Sequence, residues 1–575
     1  MKNQEIAKMF YEISKFLEMD NVSFKPYAYQ KAALTLETLK DDIGEIYRKG
    51  GLKALKEIPN IGENIAKKIE EVLTTGRLRY YEEFKKKMPI DLDEIVRVEG
   101  VGPIKAKVLY EKLGVANLRQ LEEAARSGKI APIAGFGEKT QANIIEAVEF
   151  LKRSHGRFLL GEILPVANEV ADRLRALKEV KKIEIAGSLR RMKETIGDVD
   201  ILITSDDPSR VMDVFTSQPG VVKIWGKGST KSSVRMKEGF DMDLRVIPSR
   251  SYGAALQYFT GSKEHNIALR KIAMDRGLKL NEWGLFKGSH LIASETEEDI
   301  YRALGSSWIP PEIREGRGEI DAARDGTLPD LISVKDIRGD LHVHSNWDGG
   351  ADSIWDIAQF AMKMGYDYVG ISDHTRFLKI ERGLDEKKIR ERNGEIDRLN
   401  EKLKRSGRRF KILKGCEANI MTDGSIDIED EVLAELDYVI AGVHSRVKMT
   451  RAAMTERICR AAMENPYVDI LSHPTGRILK RRDEYEIDFD QILKAAQKTG
   501  TALEVNSYFE RLDLNDVNIL RAKKAGIRMC VNTDAHRADQ MHQITFGIAQ
   551  ARRGWAEKKD IINAWPVEKM LASLR

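Results

Sequence analysis

Cysteine is almost missing from this chain: three residues in 575, none in a Cys-x-x-Cys pair. That excludes a disulfide scaffold and a zinc site built on thiolates. No stretch approaches the roughly 18 uninterrupted apolar residues of a membrane span. Charges run through the start of the chain from Met1-Lys2-Asn3-Gln4-Glu5 onward, which argues against a secretory signal. Net charge is also small: 95 Lys+Arg against 90 Asp+Glu leave +5. The excess sits mostly in residues 151–250, with 19 basic against 14 acidic side chains. This is no histone-like basic tail, so any contact with nucleic acid must use local groups. What the chain does have is 42% hydrophobic and 32% charged residues, enough for packed cores and too apolar for disorder. At roughly 150 residues per domain the length suggests about four domains. The expectation is a cytoplasmic, soluble, multidomain protein with no membrane contact.

The pattern changes along the chain. Up to about residue 155 apolar residues recur at three and four, as in Ile6, Met9, Phe10, Ile13 and Leu17, which predicts helices joined by short Gly-containing turns. In 157–250 the runs Lys182-Ile183-Glu184-Ile185, Asp198-Val199-Asp200-Ile201-Leu202-Ile203 and Asp241-Met242-Asp243-Leu244-Arg245-Val246 read as strands with helices between them, an α+β block. Residues 251–310 mix helix and short strand. Pro310-Pro311, then polar residues to about Asp336, predict a linker. Beyond it, strand-like runs such as Tyr368-Val369-Gly370-Ile371 and Ala502-Leu503-Glu504-Val505-Asn506 alternate with helical stretches, which implies a parallel sheet or barrel of β/α units.

Three segments of the helical region share one form: Asn60-Ile61-Gly62, Gly100-Val101-Gly102 and Gly135-Phe136-Gly137. Each follows a helix-like stretch and opens another. A tight glycine turn at a helix N-terminus presents bare N–H groups that, aided by the helix dipole, bind a phosphate without reading a base. Any one copy could be a plain helical hairpin; three in register favour the DNA backbone. They resemble the helix-hairpin-helix motifs of DNA-repair proteins, which makes Gly62, Gly100, Gly102, Gly135 and Gly137 the expected DNA contacts. Asn60 departs from the motif, where the first copy would carry glycine.

Asp198 and Asp200 are two apart on a predicted strand, so both carboxylates face one side. Asp243 sits on another strand, and Asp241 fits the alternation equally well. Carboxylates converging on one sheet face need cations, the arrangement of a two-metal phosphoryl-transfer site. Upstream, Gly187-Ser188-Leu189-Arg190-Arg191 combines a turn, a hydroxyl and two guanidiniums, which suits a triphosphate. Together with Gly197-Asp198-Val199-Asp200, Asp243-Leu244-Arg245 and Tyr258-Phe259-Thr260-Gly261-Ser262, this set resembles the family X DNA polymerases, over residues 1 to about 315. The resemblance selects Asp243 over Asp241. It implies that Asp198, Asp200 and Asp243 bind Mg2+ or Mn2+, with Asp243 near the primer 3′-hydroxyl. It further implies that Ser188, Arg191 and Gly197 serve the incoming triphosphate, that Tyr258 and Gly261 lie against its sugar, and that Asn266 and Arg270 face the base and template. Lys263 stands where the vertebrate repair enzyme has an aspartate, and a cation there could contact the nucleotide. The helical start resembles the family's lyase domain: Lys25 and Tyr29 match pocket positions, and Lys68 aligns with the Schiff-base lysine. Asn64 replaces one supporting lysine, and Lys68 could equally be a phosphate contact on a solvated face.

Histidine is scarce, ten in all, yet seven fall after residue 340. His342, His344, His374, His444, His473 and His536 sit at predicted strand ends, with Glu417 and Asp534 in comparable places. Imidazoles and carboxylates at barrel strand ends suit Mn, Zn or Fe and could activate water against a phosphoester. The pattern resembles the polymerase-and-histidinol-phosphatase (PHP) domain, a distorted β/α barrel with a trinuclear metal centre, over about 337–575. The resemblance implies those eight ligands and a ninth aspartate; here Asp348, in Trp347-Asp348-Gly349-Gly350, arrives one position early.

The resulting fold expectation is an N-terminal all-α helix-hairpin-helix region, an α+β nucleotidyltransferase palm and thumb, and a C-terminal distorted β/α barrel. The boundaries expected are 1–85 lyase-like, 86–155 helical DNA-binding, 156–250 palm, 251–315 thumb, 316–336 linker and 337–575 PHP. The function implied is gap filling on gapped or primer–template DNA with deoxynucleoside triphosphates, by a monomer, with Mn2+-, Zn2+- or Fe-dependent 3′→5′ processing of DNA ends. The alternatives are a PHP domain that only positions DNA, or a template-independent nucleotidyltransferase.

Overall fold

The computed structural model describes residues 2–20, 25–39, 42–96, 98, 101–153 and 157–574. They form two compact units, one of residues 1–155 and one of 156–479 with 483–575.

The first unit is helical. Along Lys2–Met19 the buried residues Ile6, Phe10, Ile13 and Leu17 make one stripe, packed on Tyr29, Ala32, Ala33 and Leu36 of Lys25–Thr38. The same helix turns Phe16 and Met19 into a second cluster with Ile95, Leu109, Leu121 and Ile144. One helix thus serves two cores and ties the expected 1–85 and 86–155 segments together.

The second unit begins with a five-stranded sheet in the order Val180–Ile185, Asp198–Ser205, Asp241–Val246, Lys231–Met236 and Val221–Lys227. Its central pair, Asp198–Ser205 with Asp241–Val246, is parallel; the other pairings are antiparallel. Helices Leu160–Arg175 and Pro208–Thr216 bury Leu160, Ile163, Val211 and Phe215 in the cluster formed with Val199, Ile201 and Leu244. Helices Tyr252–Thr260 and Lys263–Asp275 and a small antiparallel sheet follow.

Residues 316–336 depart from the expected linker. Glu319–Arg324 is a helix whose Glu319, Ile320 and Ala323 are buried, and the Glu319 carboxylate lies 2.7 Å from the buried His265 ring. Glu319 is thus paired and buried, while Asp321, Arg324 and Asp325 further along the segment stay exposed.

From residue 339 onward parallel strands alternate with helices. They form two sheets, one of Gly339–Val343, Tyr368–Ile371 and Lys411–Lys414, the other of Glu417–Asn419, Ile440–Gly442, Ile470–Leu471, Ala502–Asn506 and Met529–Asn532. The ladder is not a single closed barrel: isolated bridges Val343–Ala535 and His374–Glu417 join the sheets at their seams. Strands such as Gly339–Val343 and Ala502–Asn506 are buried throughout, as expected for parallel strands covered on both faces. This half packs on the palm. Phe509 lies so close to Gly161 that a Cβ there would come within 2.4 Å of its ring, and Arg477 NH2 donates to Glu194 at 2.7 Å. Among the described residues no helix is long and apolar enough to cross a membrane.

Inside the parallel sheets the Tyr438 ring is threaded between two glycines. A Cβ on Gly370 would lie 2.1 Å from its hydroxyl and one on Gly415 2.2 Å from its Cζ, while the hydroxyl donates to the Leu341 carbonyl at 2.6 Å. Gly370→Ala should therefore cost about 1–3 kcal/mol by overpacking, more than the about 1 kcal/mol expected from losing one hydrogen bond in Tyr438→Phe. Thermal unfolding of the two variants tests the order; the reverse order would mean that the hydroxyl, not the ring's fit, holds this layer.

Candidate active sites

Strand register gathers the palm carboxylates. Asp198 is opposite Asp241 and Asp200 opposite Asp243 on the parallel central strands, so alternation sets all four on one face. Asp241 is committed elsewhere: it accepts Arg235 Nε and NH2 at 2.5 and 2.9 Å and Trp225 Nε1 at 2.7 Å, and the Arg235 bond above all holds it below the usual carboxylate range. Asp243 stays beside Asp200, with Lys231 Nζ at 2.8 Å and Arg245 NH2 at 3.8 Å. Asp200 is pushed up to about 6, by burial first and then by Asp198 and Asp243, against the pull of Arg245 and Lys231. A carboxylate shifted upward in this way sits where positive charge is short, and a divalent cation supplies it.

The residues expected at the nucleotide border this cluster. Gly187 has φ +65° and a Cβ there would reach Asp200 Oδ2 at 3.0 Å, so glycine lets the Gly187–Arg190 turn, with Ser188 in it, close on the carboxylates. Arg190 forks onto Glu297 at 2.9 Å on both nitrogens; it braces the thumb. Arg191 bonds Glu315 through Nε at 3.0 Å and donates to the Thr260 carbonyl. Gly261, at φ +70°, gives room for that guanidinium: a Cβ would lie 3.0 Å from NH1. Gly197 is half-buried beside Asp198 and Tyr258 is half-buried, while Lys263 and Arg270 are exposed. Asn266 is held between the Tyr258 carbonyl and the Gln257 amide, both at 2.7 Å, which fixes it beneath Tyr258.

The three glycine turns share one hydrogen-bond pattern. Ile61, Val101 and Phe136 are buried, and each amide donates to the carbonyl three residues back, at 3.2, 3.0 and 3.0 Å. The residue before each is left-handed where described, Asn60 at φ +61° and Gly135 at +88°; asparagine tolerates that region best among non-glycine residues, which accounts for Asn60. Gly62 and Gly102 are exposed N-caps without a side-chain cap, so their helix N–H groups are open. The third copy differs, with Gly137 at φ +71°. Gly100 lies outside the described residues. Lys68 is half-buried, its Nζ 4.9 Å from the centre of the Tyr80 ring, and Tyr80 stacks on Tyr29 at 6.4 Å. Burial, and then the charge of Lys25 against that of Glu71, lowers its pKa.

In the C-terminal half the strand ends converge on Glu417. One carboxylate oxygen faces His444 Nε2, His473 Nε2 and the Ser472 hydroxyl at 3.1, 3.0 and 2.9 Å. The other faces His374 Nε2 at 3.0 Å, His342 Nε2 at 3.3 Å and His344 Nε2 at 3.7 Å. Asp534 Oδ1 lies 3.3 Å from His344 Nε2 and 3.6 Å from His342 Nε2. His536, His344 and His374 stack with centroids 4.2 Å apart. Donor groups within 4.8 Å of one another include His342–His344–Glu417–Asp534, His374–Glu417–His444 and His344–His374–His536. Ring nitrogens His342 Nε2 and His344 Nε2 are buried without a hydrogen-bond partner. Buried imidazole nitrogens aimed at shared carboxylates and left unbonded fit metal ions. Asp348 is in the site but stands behind the rings: its Oδ2 lies 2.9 Å from His344 Nδ1 and 2.8 Å from His374 Nδ1. The short turn is possible because a Cβ on Gly349 would lie 2.4 Å from Glu381 and one on Gly350 2.5 Å from the Ser345 carbonyl.

Known proteins share this layout. Residues 1–78 match the helix-hairpin-helix domain, 161–223 the DNA polymerase beta palm, 255–315 the DNA polymerase beta thumb and 340–508 the PHP domain. A Bacillus subtilis protein named DNA polymerase/3'-5' exonuclease PolX is 35% identical over 581 residues, covering all of both chains. The chain belongs to the PolX family. DNA polymerase lambda of Arabidopsis thaliana is 25% identical over 361 residues, 54% of this chain and 62% of its own. A probable phosphatase of Thermoanaerobacter sp. is 32% identical over 208 residues, 34% of this chain and 78% of its own.

Within this PolX chain the structure adds residues that sequence reasoning passed over. Glu504 Oε1 lies 2.6 Å from His342 Nδ1 and its Oε2 accepts the His473 amide at 2.8 Å. It was visible as an acid in the middle of the strand-like run Ala502-Leu503-Glu504-Val505-Asn506, a strand buried throughout. Such an outer carboxylate fixes the tautomer and direction of a ligand ring. Glu504→Ala should weaken metal retention roughly 10–100-fold, read as metal bound after dialysis against graded chelator; retention equal to wild type would remove Glu504 from the site.

Proposed function

We propose that this PolX chain is a DNA-directed DNA polymerase that fills short gaps during repair, with a metal-dependent 3′→5′ exonuclease in its PHP half. The observation that carries the reading is that one chain holds two separate donor clusters of different chemistry, the Asp198–Asp200–Asp243 group and the imidazoles around Glu417. Each cluster draws all its donors from one chain, so a single copy suffices. The competing scaffold reading of the PHP half has little support from a cluster that keeps His342, His344, His374, Glu417, His444, His473, Asp534 and His536.

In the palm, Asp198, Asp200 and Asp243 would hold Mg2+ or Mn2+, ions that prefer oxygen donors. Bound there, they neutralise charge and polarise phosphate oxygens during transfer. The chain's own groups do the rest. Ser188 and Arg191 hold the triphosphate of the incoming deoxynucleotide, Gly197 leaves room for it, and Tyr258, Gly261, Lys263, Asn266 and Arg270 border its sugar and base. Gly62, Gly100, Gly102, Gly135 and Gly137 hold the DNA backbone. In the PHP half the imidazole-rich set around Glu417 would take Mn2+, Zn2+ or Fe, with Asp348 and Glu504 orienting rings from behind.

The two activities should separate. Asp200→Ala should lower primer extension roughly a thousandfold, the worth of a lost metal ligand, and leave 3′→5′ degradation nearly intact; His344→Ala should do the reverse. Both activities are measured on one gapped substrate. A folded His344→Ala chain with full exonuclease activity would end the PHP assignment, and normal extension by Asp200→Ala would end the polymerase one.

Lys68 carries a further assignment, removal of a 5′-deoxyribose phosphate through a Schiff base. Its lowered pKa leaves more neutral amine near neutrality than a free lysine has, and the neutral amine is the nucleophile. Borohydride should trap the wild type on an incised abasic site and should not trap Lys68→Ala. Equal trapping of both would place the chemistry at another amine.

A further inference from the structure

Helix Ile544–Arg553 belongs to the PHP half, yet its last side chain ends against the polymerase site. Arg553 is 3% exposed. Its NH1 donates to the Arg191 carbonyl at 2.7 Å and to Glu315 Oε1 at 2.9 Å. Its NH2 donates to Asp516 Oδ2 at 2.5 Å, an oxygen that also faces Arg317 NH1 at 3.1 Å. The same Glu315 oxygen accepts Arg191 Nε at 3.0 Å. Lys193 Nζ is 3.7 Å from the other oxygen.

One buried carboxylate therefore stands between two buried guanidiniums. Charges in such a place act strongly on each other because little water screens them. If Glu315 faced Arg191 alone, its full charge would oppose the positive charge that a triphosphate needs. With Arg553 present, Glu315 is shared, Arg191 keeps an excess of positive charge, and its backbone is pinned by the second bond from Arg553. Glu315 aims the Arg191 fork; Arg553 stops that aim from neutralising it.

We propose that Arg553, a residue of the PHP half, is a positioning residue for nucleotide addition, acting through Glu315 on Arg191 to favour binding of the incoming nucleoside triphosphate. The proposal rests on the reading of Arg191 as a triphosphate contact. Arg553 touches neither substrate nor either cluster of donors, so exonuclease activity should not depend on it.

The test is steady-state gap filling by the full chain with the nucleotide varied, alongside exonuclease activity on the same DNA. Arg553→Met should raise the nucleotide KM about tenfold, the worth of one charge-assisted hydrogen bond, with kcat and exonuclease activity each within about twofold. Arg553→Lys, which keeps the charge, should bring KM back to within about threefold of wild type. In an Arg191→Ala chain, adding Arg553→Met should change KM no further, because its route of action is gone. If Arg191→Ala leaves KM unchanged, the reading of Arg191 fails. If Arg191→Ala raises KM and Arg553→Met does not, only the proposal fails. A further rise in the double variant, or equal losses of extension and exonuclease activity, would make Arg553 a packing residue and overturn the proposal. Should Arg553→Met lose its folded circular-dichroism signal, Arg553→Gln, which keeps a donor but no charge, is read in its place.

Discussion

Glu417 is 1% exposed, and an ionised carboxylate at that depth is costly unless cations or strong donors surround it. Burial alone would raise its pKa; the rings of His444 and His342, together with hydrogen bonds from His342 and His374, hold it well below the usual range. Placing so many rings on one acid demands that several strands end at matching heights. They do: Asn419 pairs with Gly442, Ala441 with Leu471, and Asn506 with Asn532. His444, His473 and Asp534 then each follow two residues after the last residue of their strands. The even offset delivers them to the same side. Two of them hold positive φ, His473 at +28° and Asp534 at +55°, a backbone cost that non-glycine residues bear where a site fixes their direction.

The palm solves a related problem with a different remedy. Its carboxylates are less deeply buried, and Lys231 and Arg245 sit beside Asp243. These cations offset only part of the repulsion, since Asp200 remains shifted up to about 6, chiefly by burial. An all-oxygen set with Lys231 and Arg245 beside it suits ions that keep much of their water. The imidazole set of the other half, with its rings fixed by Asp348 and Glu504, suits ions held more tightly by nitrogen. Difference in donor chemistry is what lets one chain keep two metal-dependent reactions apart.

Much of this was legible in the sequence, and the reasons are local. Two-residue spacing on a strand told where Asp198 and Asp200 point, and histidines at strand ends told where the second cluster lies. Strand alternation treats Asp241 and Asp243 alike, and only the family resemblance chose Asp243; the Arg235 fork and Trp225, which engage Asp241 and leave Asp243 beside Asp200, are visible only in the structure. The seam between the two parallel sheets was also hidden. A strand pattern fixes that strands are parallel, while closure depends on how far each register slips, and here single bridges at Val343 and His374 do the joining. Asn60, a departure from the glycine motif, became intelligible only with its φ of +61°.

The segment after Pro310-Pro311 shows why composition misleads. Glu312-Ile313-Arg314-Glu315-Gly316-Arg317-Gly318-Glu319 has the charge and glycine of a solvated linker. In the structure each of its charges has a distant partner. Glu312 meets Arg552 at 2.8 Å, Arg314 meets Glu297 at 2.6 Å, Arg317 meets Asp516 at 3.1 Å and Glu319 meets His265 at 2.7 Å. Glu315 takes Arg191 and Arg553 together. Gly316 is there for contact and not for slack, since a Cβ would lie 2.9 Å from Glu264 Cβ. A charge that is paired and a charge that is solvated look the same in a sequence when the partner lies more than two hundred residues away, as Arg552 and Arg553 do from Glu312 and Glu315. The physical difference is large, because losing one partner of a buried pair leaves the other charge uncompensated away from water. The stretch that reads as the loosest joint in the chain is thus where the polymerase and PHP halves grip each other.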